Sequence, residues 1–165
     1  MYDSWEVLSI PAGLPGTAAT LSKMADLVRA AQLAPVTRST ALQLLERRRP
    51  RSTAAGCADL NRWVGHHMAW INEPNETLVR PEWMLEEIAA GRKPWGDCDD
   101  AAMLVSSLNM ARGLPVRMRA VYDPENPEFA HVFGEVQADG YWLISDPSAP
   151  GVVPPFGWAS MIVNV

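Results

Sequence analysis

The sequence predicts an α+β fold, a helical N-terminal half followed by an antiparallel sheet. Three observations predict it. Apolar residues recur at helical spacing up to Met110. From Val116 the pattern changes to alternation. Asp139-Gly140 then stands between two alternating runs, a strong two-residue hairpin signal.

Taken in order, residues 1–16 carry Pro11, Gly13, Pro15 and Gly16 and read as an irregular N-terminal arm. Thr17 or Thr20 can cap a first helix whose core face is Leu21, Met24, Val28 and Ala31, with Pro35 as its stop. A second helix is expected over Thr37 to Arg48, with Leu42 and Leu45 on one face. A third is expected over Ala55 to Ile71, burying Cys57, Leu60, Val64, Met68 and Ile71. Residues 72–76 are a turn by composition. Pro81 suits the first turn of a short helix, Glu82 to Ala90, ended by Gly91. The next helix opens at Cys98 and stops at Gly113 and Pro115. Strands are expected over Val116–Tyr122, Ala130–Gln137 and Tyr141–Ser145, with an edge strand over Met161–Val165. No repeat or low-complexity segment interrupts this order, and 165 residues read as one domain, 1–165.

Composition removes several function classes. Hydrophobic residues make up 48% of the chain, a globular value that argues against disorder. A net charge of −5 argues against a nucleic-acid partner, and the run Arg47-Arg48-Arg49-Pro50-Arg51 reads as a solvated loop. There is no basic leader and no long apolar stretch, so neither a secretory signal nor a membrane partner is expected. The two cysteines, Cys57 and Cys98, are far apart and form no disulfide framework. A reducing, cytoplasmic location follows.

Chemistry concentrates in Trp95-Gly96-Asp97-Cys98-Asp99-Asp100. A thiol on the first turn of a helix meets unpaired N–H groups and the positive end of the dipole, which favour a thiolate. Asp97, Asp99 and Asp100 oppose it, so one or more should cap backbone N–H groups and point away from sulfur. Cys98, then a strand histidine, His131, then a strand aspartate, Asp146, is the set needed for a nucleophile, its base and the group that orients the base. Cys57 reads as a small buried hydrophobe. His66 and His67 have no third ligand at metal spacing, and three acids within four residues at a helix start cannot all converge on one ion. No metal site and no cofactor is expected. Among the tryptophans, Trp5 and Trp158 are the candidates to meet a partner.

The hairpin turns this set into a geometric expectation. Pairing outward from Asp139-Gly140 sets Ala138 opposite Tyr141 and Phe133 opposite Asp146. His131 then shares a face with Asp146 as its diagonal neighbour. A slip of one residue would separate them. The Cys98 helix, packed on that face, would complete a triad.

These residues resemble the transglutaminase-like (papain-related) cysteine superfamily. The resemblance is carried by Gly96-Asp97-Cys98-Asp99-Asp100, Ala130-His131-Val132 and Trp142-Leu143-Ile144-Ser145-Asp146-Pro147-Ser148. Gly16-Thr17 with Leu21 and Met24, and Trp70-Ile71-Asn72-Glu73-Pro74 with Glu76 and Pro81, are similar to landmarks of the small members encoded among phage and prophage structural genes. The resemblance implies Cys98 as nucleophile, His131 as base and then acid, and Asp146 as the residue that fixes the imidazole tautomer. It also implies the backbone N–H of Cys98 as one oxyanion donor. Trp63, Trp70 and Trp95 are all candidates for the second, and none is singled out. The implied activity is a cysteine hydrolase or acyltransferase on amide bonds, a protease or amidase ahead of an amine-transferring transglutaminase. The implied partner is a peptide or protein, with phage structural proteins among the candidates and virion association as a second location. The rival reading is a non-catalytic virion or assembly protein that keeps the fold.

Overall fold

A computed structural model describes residues 5–7, 13–71 and 77–165, with backbone alone for 5–7 and 127–130. Residues 1–4, 8–12 and the turn expected at 72–76 lie outside the described residues.

The element order is β1 (Trp5–Val7), α1 (Leu14–Ala31), α2 (Pro35–Arg48), α3 (Thr53–His67), β2 (Ala69–Trp70), β3 (Thr77–Val79) and α4 (Pro81–Ala89). Then come β4 (Trp95–Gly96), α5 (Cys98–Ala111), β5 (Val116–Asp123), β6 (Asn126–Ala138), β7 (Tyr141–Ser145) and β8 (Ala159–Asn164). The α+β class and each expected helix and strand are present. The expected irregular arm is corrected: Trp5–Val7 pairs antiparallel with Thr77–Val79, and α1 starts at Leu14. Pro15 lies in the first turn of α1, where its missing N–H breaks no helical bond, so Thr17 is inside the helix instead of capping it. Pro35 likewise opens α2 as well as following α1.

Two expected faces shift. Leu42 is exposed, and α2 turns Thr37 and Ala41 inward, with Leu44 and Val36 against the core. Helix α3 is capped by Ser52, whose hydroxyl accepts the Ala55 N–H at 3.1 Å, and it ends at His67. Met68 is extended, so Ala69–Trp70 leaves the helix and pairs parallel with Trp95–Gly96, and Ile71 is exposed. Cys57, Leu60 and Val64 are buried as their spacing requires.

Every residue of α5 from Asp99 to Asn109 is buried. A helix apolar on most of its circumference must lie between other layers. Leu104, Val105 and Leu108 pack with Val64, Met84 and Leu85 of α3 and α4. Ala102 and Met103 pack instead with Leu21, Met24 and Val28 of α1 and with Met118, Ala120 and Val132 of the sheet.

That sheet is antiparallel in the order β7-β6-β5-β8. Asp139 and Gly140 both have positive φ, 55° and 86°, which matches the twist of a tight hairpin. Ala138 pairs with Tyr141 and Gly134 with Ser145, the register that alternation requires. Helices cover the face of Met118, Ala120 and Val132. Arg117, Arg119 and Glu135 alternate onto the other face, where Glu135 is buried between the two guanidinium groups. Arg117 also lies 4.3 Å from the centre of the Trp142 ring. Among the described residues, no helix is long and apolar enough to cross a membrane.

Leu104 has no exposed surface. Leu104→Ala should lower stability by about 2–5 kcal/mol through the lost burial and the cavity left behind. Urea unfolding followed by circular dichroism measures this.

Candidate active site

The start of α5 is fixed by a buried carboxylate. Asp97 is the N-cap: its Oδ1 accepts the Asp99 N–H at 3.2 Å, and Asp100 Oδ2 accepts the Asp97 N–H at 3.3 Å, closing a capping box. Asp100 Oδ1 accepts the Val79 N–H at 2.7 Å, so the same carboxylate ties β3 to the helix start. A Cβ on Gly96 would lie 2.5 Å from Asp100 Oδ2 and 2.8 Å from its Cβ, so no larger residue fits there without moving the cap. Capping by the acids is as expected. Asp97 and Asp99 nevertheless stay close to the sulfur, each with an oxygen within 4.8 Å of it and of the other.

Cys98 is half-buried and opens into a cleft of about 400 Å³ lined by Trp70, Ile71, Asp97 and Ser148. The β2–β4 pairing builds one wall, and bonds from Ala69 N–H to Pro94 O (2.8 Å) and Ile71 N–H to Gly96 O (3.2 Å) hold it against the residues that lead into α5. Trp63 does not share this wall. It packs on the core and stacks on His67, whose Nδ1 lies 2.7 Å from the Trp63 carbonyl.

His131 and Asp146 are brought together. His131 Nε2 lies 2.7 Å from Asp146 Oδ2, the diagonal contact that the hairpin register requires. Asp146 is almost fully buried, and its second oxygen, Oδ1, accepts three bonds. They come from the Ser148 N–H at 2.9 Å, the Ser148 hydroxyl at 2.6 Å and the Ala149 N–H at 3.1 Å. Burial alone would raise this carboxyl, but the bonds from His131, Ser148 and Ala149 outweigh it and hold Asp146 below the ordinary carboxylate value. With Nε2 on Asp146, Nδ1 is the ring nitrogen left for chemistry.

Two expectations about Cys98 are corrected. The body of α5 packs on the Val132 face of the sheet, opposite the face His131 shares with Asp146. The first turn of α5 lies beside β6 at Val132. The sulfur there lies by the backbone N–H of Val132, and among the described residues no hydrogen bond joins Cys98 to His131. Nor is the thiol poised as a thiolate. It is pushed up to about 12, first by burial and then by the charge of Asp99, with Asp97 and Asp146 adding to the effect and the Val132 N–H opposing it. The first-turn N–H groups favour an anion, but burial and then the two carboxylates beside the sulfur outweigh them. Cys57 is also raised, by burial, against an opposing pull from Arg112. Cys57 has 3% of its surface exposed, so the two cysteines differ in access.

In the sequence Ser148 stands out only as part of a motif. Its signal is the spacing in Asp146-Pro147-Ser148, in which an aspartate can accept from a backbone N–H two residues on. The roles of Asp100 at Val79 and of Trp70 and Ile71 as cleft walls had no comparable signal, because each depends on where β2 and β3 fold back.

No protein-family model matches the chain, and no curated protein matches it. Solved structures do share its fold. A candidate cysteine protease from Cytophaga hutchinsonii superposes with a TM-score of 0.56 at 18% identity, over 76% of this chain and 45% of that one. A candidate protease from Parabacteroides distasonis superposes with a TM-score of 0.50 at 13% identity, over 76% of this chain and 26% of that one. The chain therefore spans less than half the length of either structure. The α+β architecture expected from the sequence, with Cys98 opening a helix packed on an antiparallel sheet, is the fold shared with these structures.

A thiol held up by a neighbouring carboxylate should respond to its removal. Asp99→Asn should speed alkylation of Cys98 by iodoacetamide at pH 7, by roughly threefold to tenfold, because the thiol's pKa falls when this charge is removed. Peptide-resolved mass spectrometry reads the rate. An unchanged rate would mean that Asp99 does not act on the sulfur.

Proposed function

We propose that the protein is a thiol hydrolase that cleaves an amide bond in a peptide or protein through a thioester on Cys98. The observation that carries this reading is the 2.7 Å His131–Asp146 pair beside the cleft that Cys98 opens. In this mechanism the Cys98 thiol gives its proton to His131 Nδ1 as sulfur bonds to the amide carbon. The backbone N–H of Cys98 donates to the oxygen that becomes negative. The carbon–nitrogen bond then breaks, and the imidazolium returns the proton to the departing amine. Water attacks the thioester with His131 as base, releasing the acid and restoring the thiol. Asp146 holds the ring by Nε2 and stabilises its cation throughout. Transfer of the acyl group to an amine in place of water is the transglutaminase variant of the same chemistry. The motif resemblance supports a phage or prophage origin and a substrate among phage structural proteins, in the cytoplasm or on a virion.

A thiol raised to about 12 with no bond to His131 favours a second reading, a non-catalytic assembly protein that keeps the fold. On the enzyme reading, substrate must bring sulfur and imidazole together. Loose contacts of this kind in the free state commonly tighten in the substrate complex.

The two readings separate on a covalent thiol probe and on peptide turnover. Cys98→Ala should abolish both labelling at this site and turnover. His131→Ala should fall with it, because members of one catalytic unit act non-additively. Asp146→Asn should keep the fold and lower turnover by about 10²–10⁴-fold, since an amide can hold the wrong imidazole tautomer. Full activity in Cys98→Ala would end the enzyme reading.

A further inference from the structure

Ser148 has no role in the chemistry described so far, yet it touches both halves of the site. It lines the Cys98 cleft, and it gives Asp146 Oδ1 two of its three hydrogen bonds. Pro147, with its fixed φ, makes a tight turn between the two residues. The turn brings the Ser148 N–H to 2.9 Å and the Ser148 hydroxyl to 2.6 Å of the same oxygen. The Ala149 N–H completes the set at 3.1 Å. The two carboxylate oxygens are thereby made inequivalent. Oδ1 is filled by donors from its own loop, and Oδ2 faces His131 Nε2 at 2.7 Å. A carboxylate free to rotate would exchange these oxygens and leave the imidazole without a fixed partner.

We propose that Ser148 is a positioning residue, whose hydroxyl locks the Asp146 carboxylate so that Oδ2 holds His131 in one ring orientation and one tautomer. The role rests on the thiol–imidazole reading above for its effect on turnover, but not for its effect on Asp146. Of the three donors on Oδ1, only this one is a side chain that substitution can remove. Of the groups that face Asp146, His131 lies across the hairpin, and the Cys98 thiol approaches from the start of α5, flanked by Asp97 and Asp99. None of these changes in a Ser148 variant. The hydroxyl bond favours the charged carboxylate, so its loss must raise the Asp146 midpoint toward the ordinary carboxylate value.

The test compares wild type with Ser148→Ala and Ser148→Thr, the second of which keeps a hydroxyl at the same place. Ser148 is partly exposed, and circular dichroism checks that each variant is folded. Carboxyl-carbon NMR follows the titration of Asp146. Iodoacetamide labelling of Cys98 against pH follows the site. In Ser148→Ala the Asp146 midpoint should rise, and the acid limb of the labelling profile should move to higher pH. Labelling at pH 7 should fall toward the rate seen in His131→Ala, as the imidazole loses its fixed orientation. Ser148→Thr should restore both readings to within about twofold of wild type. An unchanged Asp146 midpoint in folded Ser148→Ala overturns the proposal, whatever the thiol does. If the midpoint rises but wild-type Cys98 labels no faster than Cys57 and ignores His131→Ala, the thiol–imidazole reading fails. The Ser148 lock on Asp146 then still stands.

Discussion

Asp100 has no exposed surface, and its two oxygens accept main-chain N–H groups from Val79 and Asp97. One oxygen closes the cap of α5; the other anchors β3, and through the β1–β3 pairing the N-terminal strand as well. The position of Cys98 depends on this carboxylate, because the N-cap geometry sets where the first helical residue begins. Gly96 is part of the same constraint, since a side chain there would meet Asp100. A buried charge is costly unless bonded on all sides. Its presence here coincides with the one place where helix, strand and cleft must register with one another.

From that point the two layers bring the site together from opposite directions. Helix α5 lies on the Val132 face, so it delivers Cys98 only at its tip. The hairpin delivers His131 and Asp146 on the other face, already joined. The sulfur lies by the Val132 N–H, and the joined His131–Asp146 pair lies on the opposite face, next to where β7 ends at Ser145. Polar bonds under the hairpin support this end. The Ser145 hydroxyl donates to Asn61 Oδ1 at 2.8 Å and receives the Asn109 side-chain N–H at 3.4 Å, linking β7 to α3 and α5 one residue before Asp146.

Much of this was legible in the sequence where local chemistry decides structure. The Asp139-Gly140 turn and strict alternation determine the register, and the register alone places His131 beside Asp146. The cap of α5 was legible for the same reason, since Asp97 and Asp100 stand three residues apart at a helix start. What failed depended on contacts distant in sequence. Strands β1 to β4 are two or three residues long and carry no periodicity, so only their partners define them. On α2 the larger Leu42 and Leu45 mark one face by size, yet the approach of α5 and α4 favours the small Thr37 and Ala41. The face of the sheet used by α5 follows from the burial of Val132 and Gly134. The triad pattern, which concerns three side chains, carries no information about it.

The acids around Cys98 also bear on its durability. Cysteine attacks peroxide and disulfides as the thiolate, and oxidation by peroxide becomes irreversible beyond the sulfenic stage. With burial, Asp99 and Asp97 holding the sulfur as a neutral thiol, the resting protein presents oxidants with a poor nucleophile despite an open cleft. The same electrostatics that make the thiol a poor nucleophile protect the residue from permanent loss.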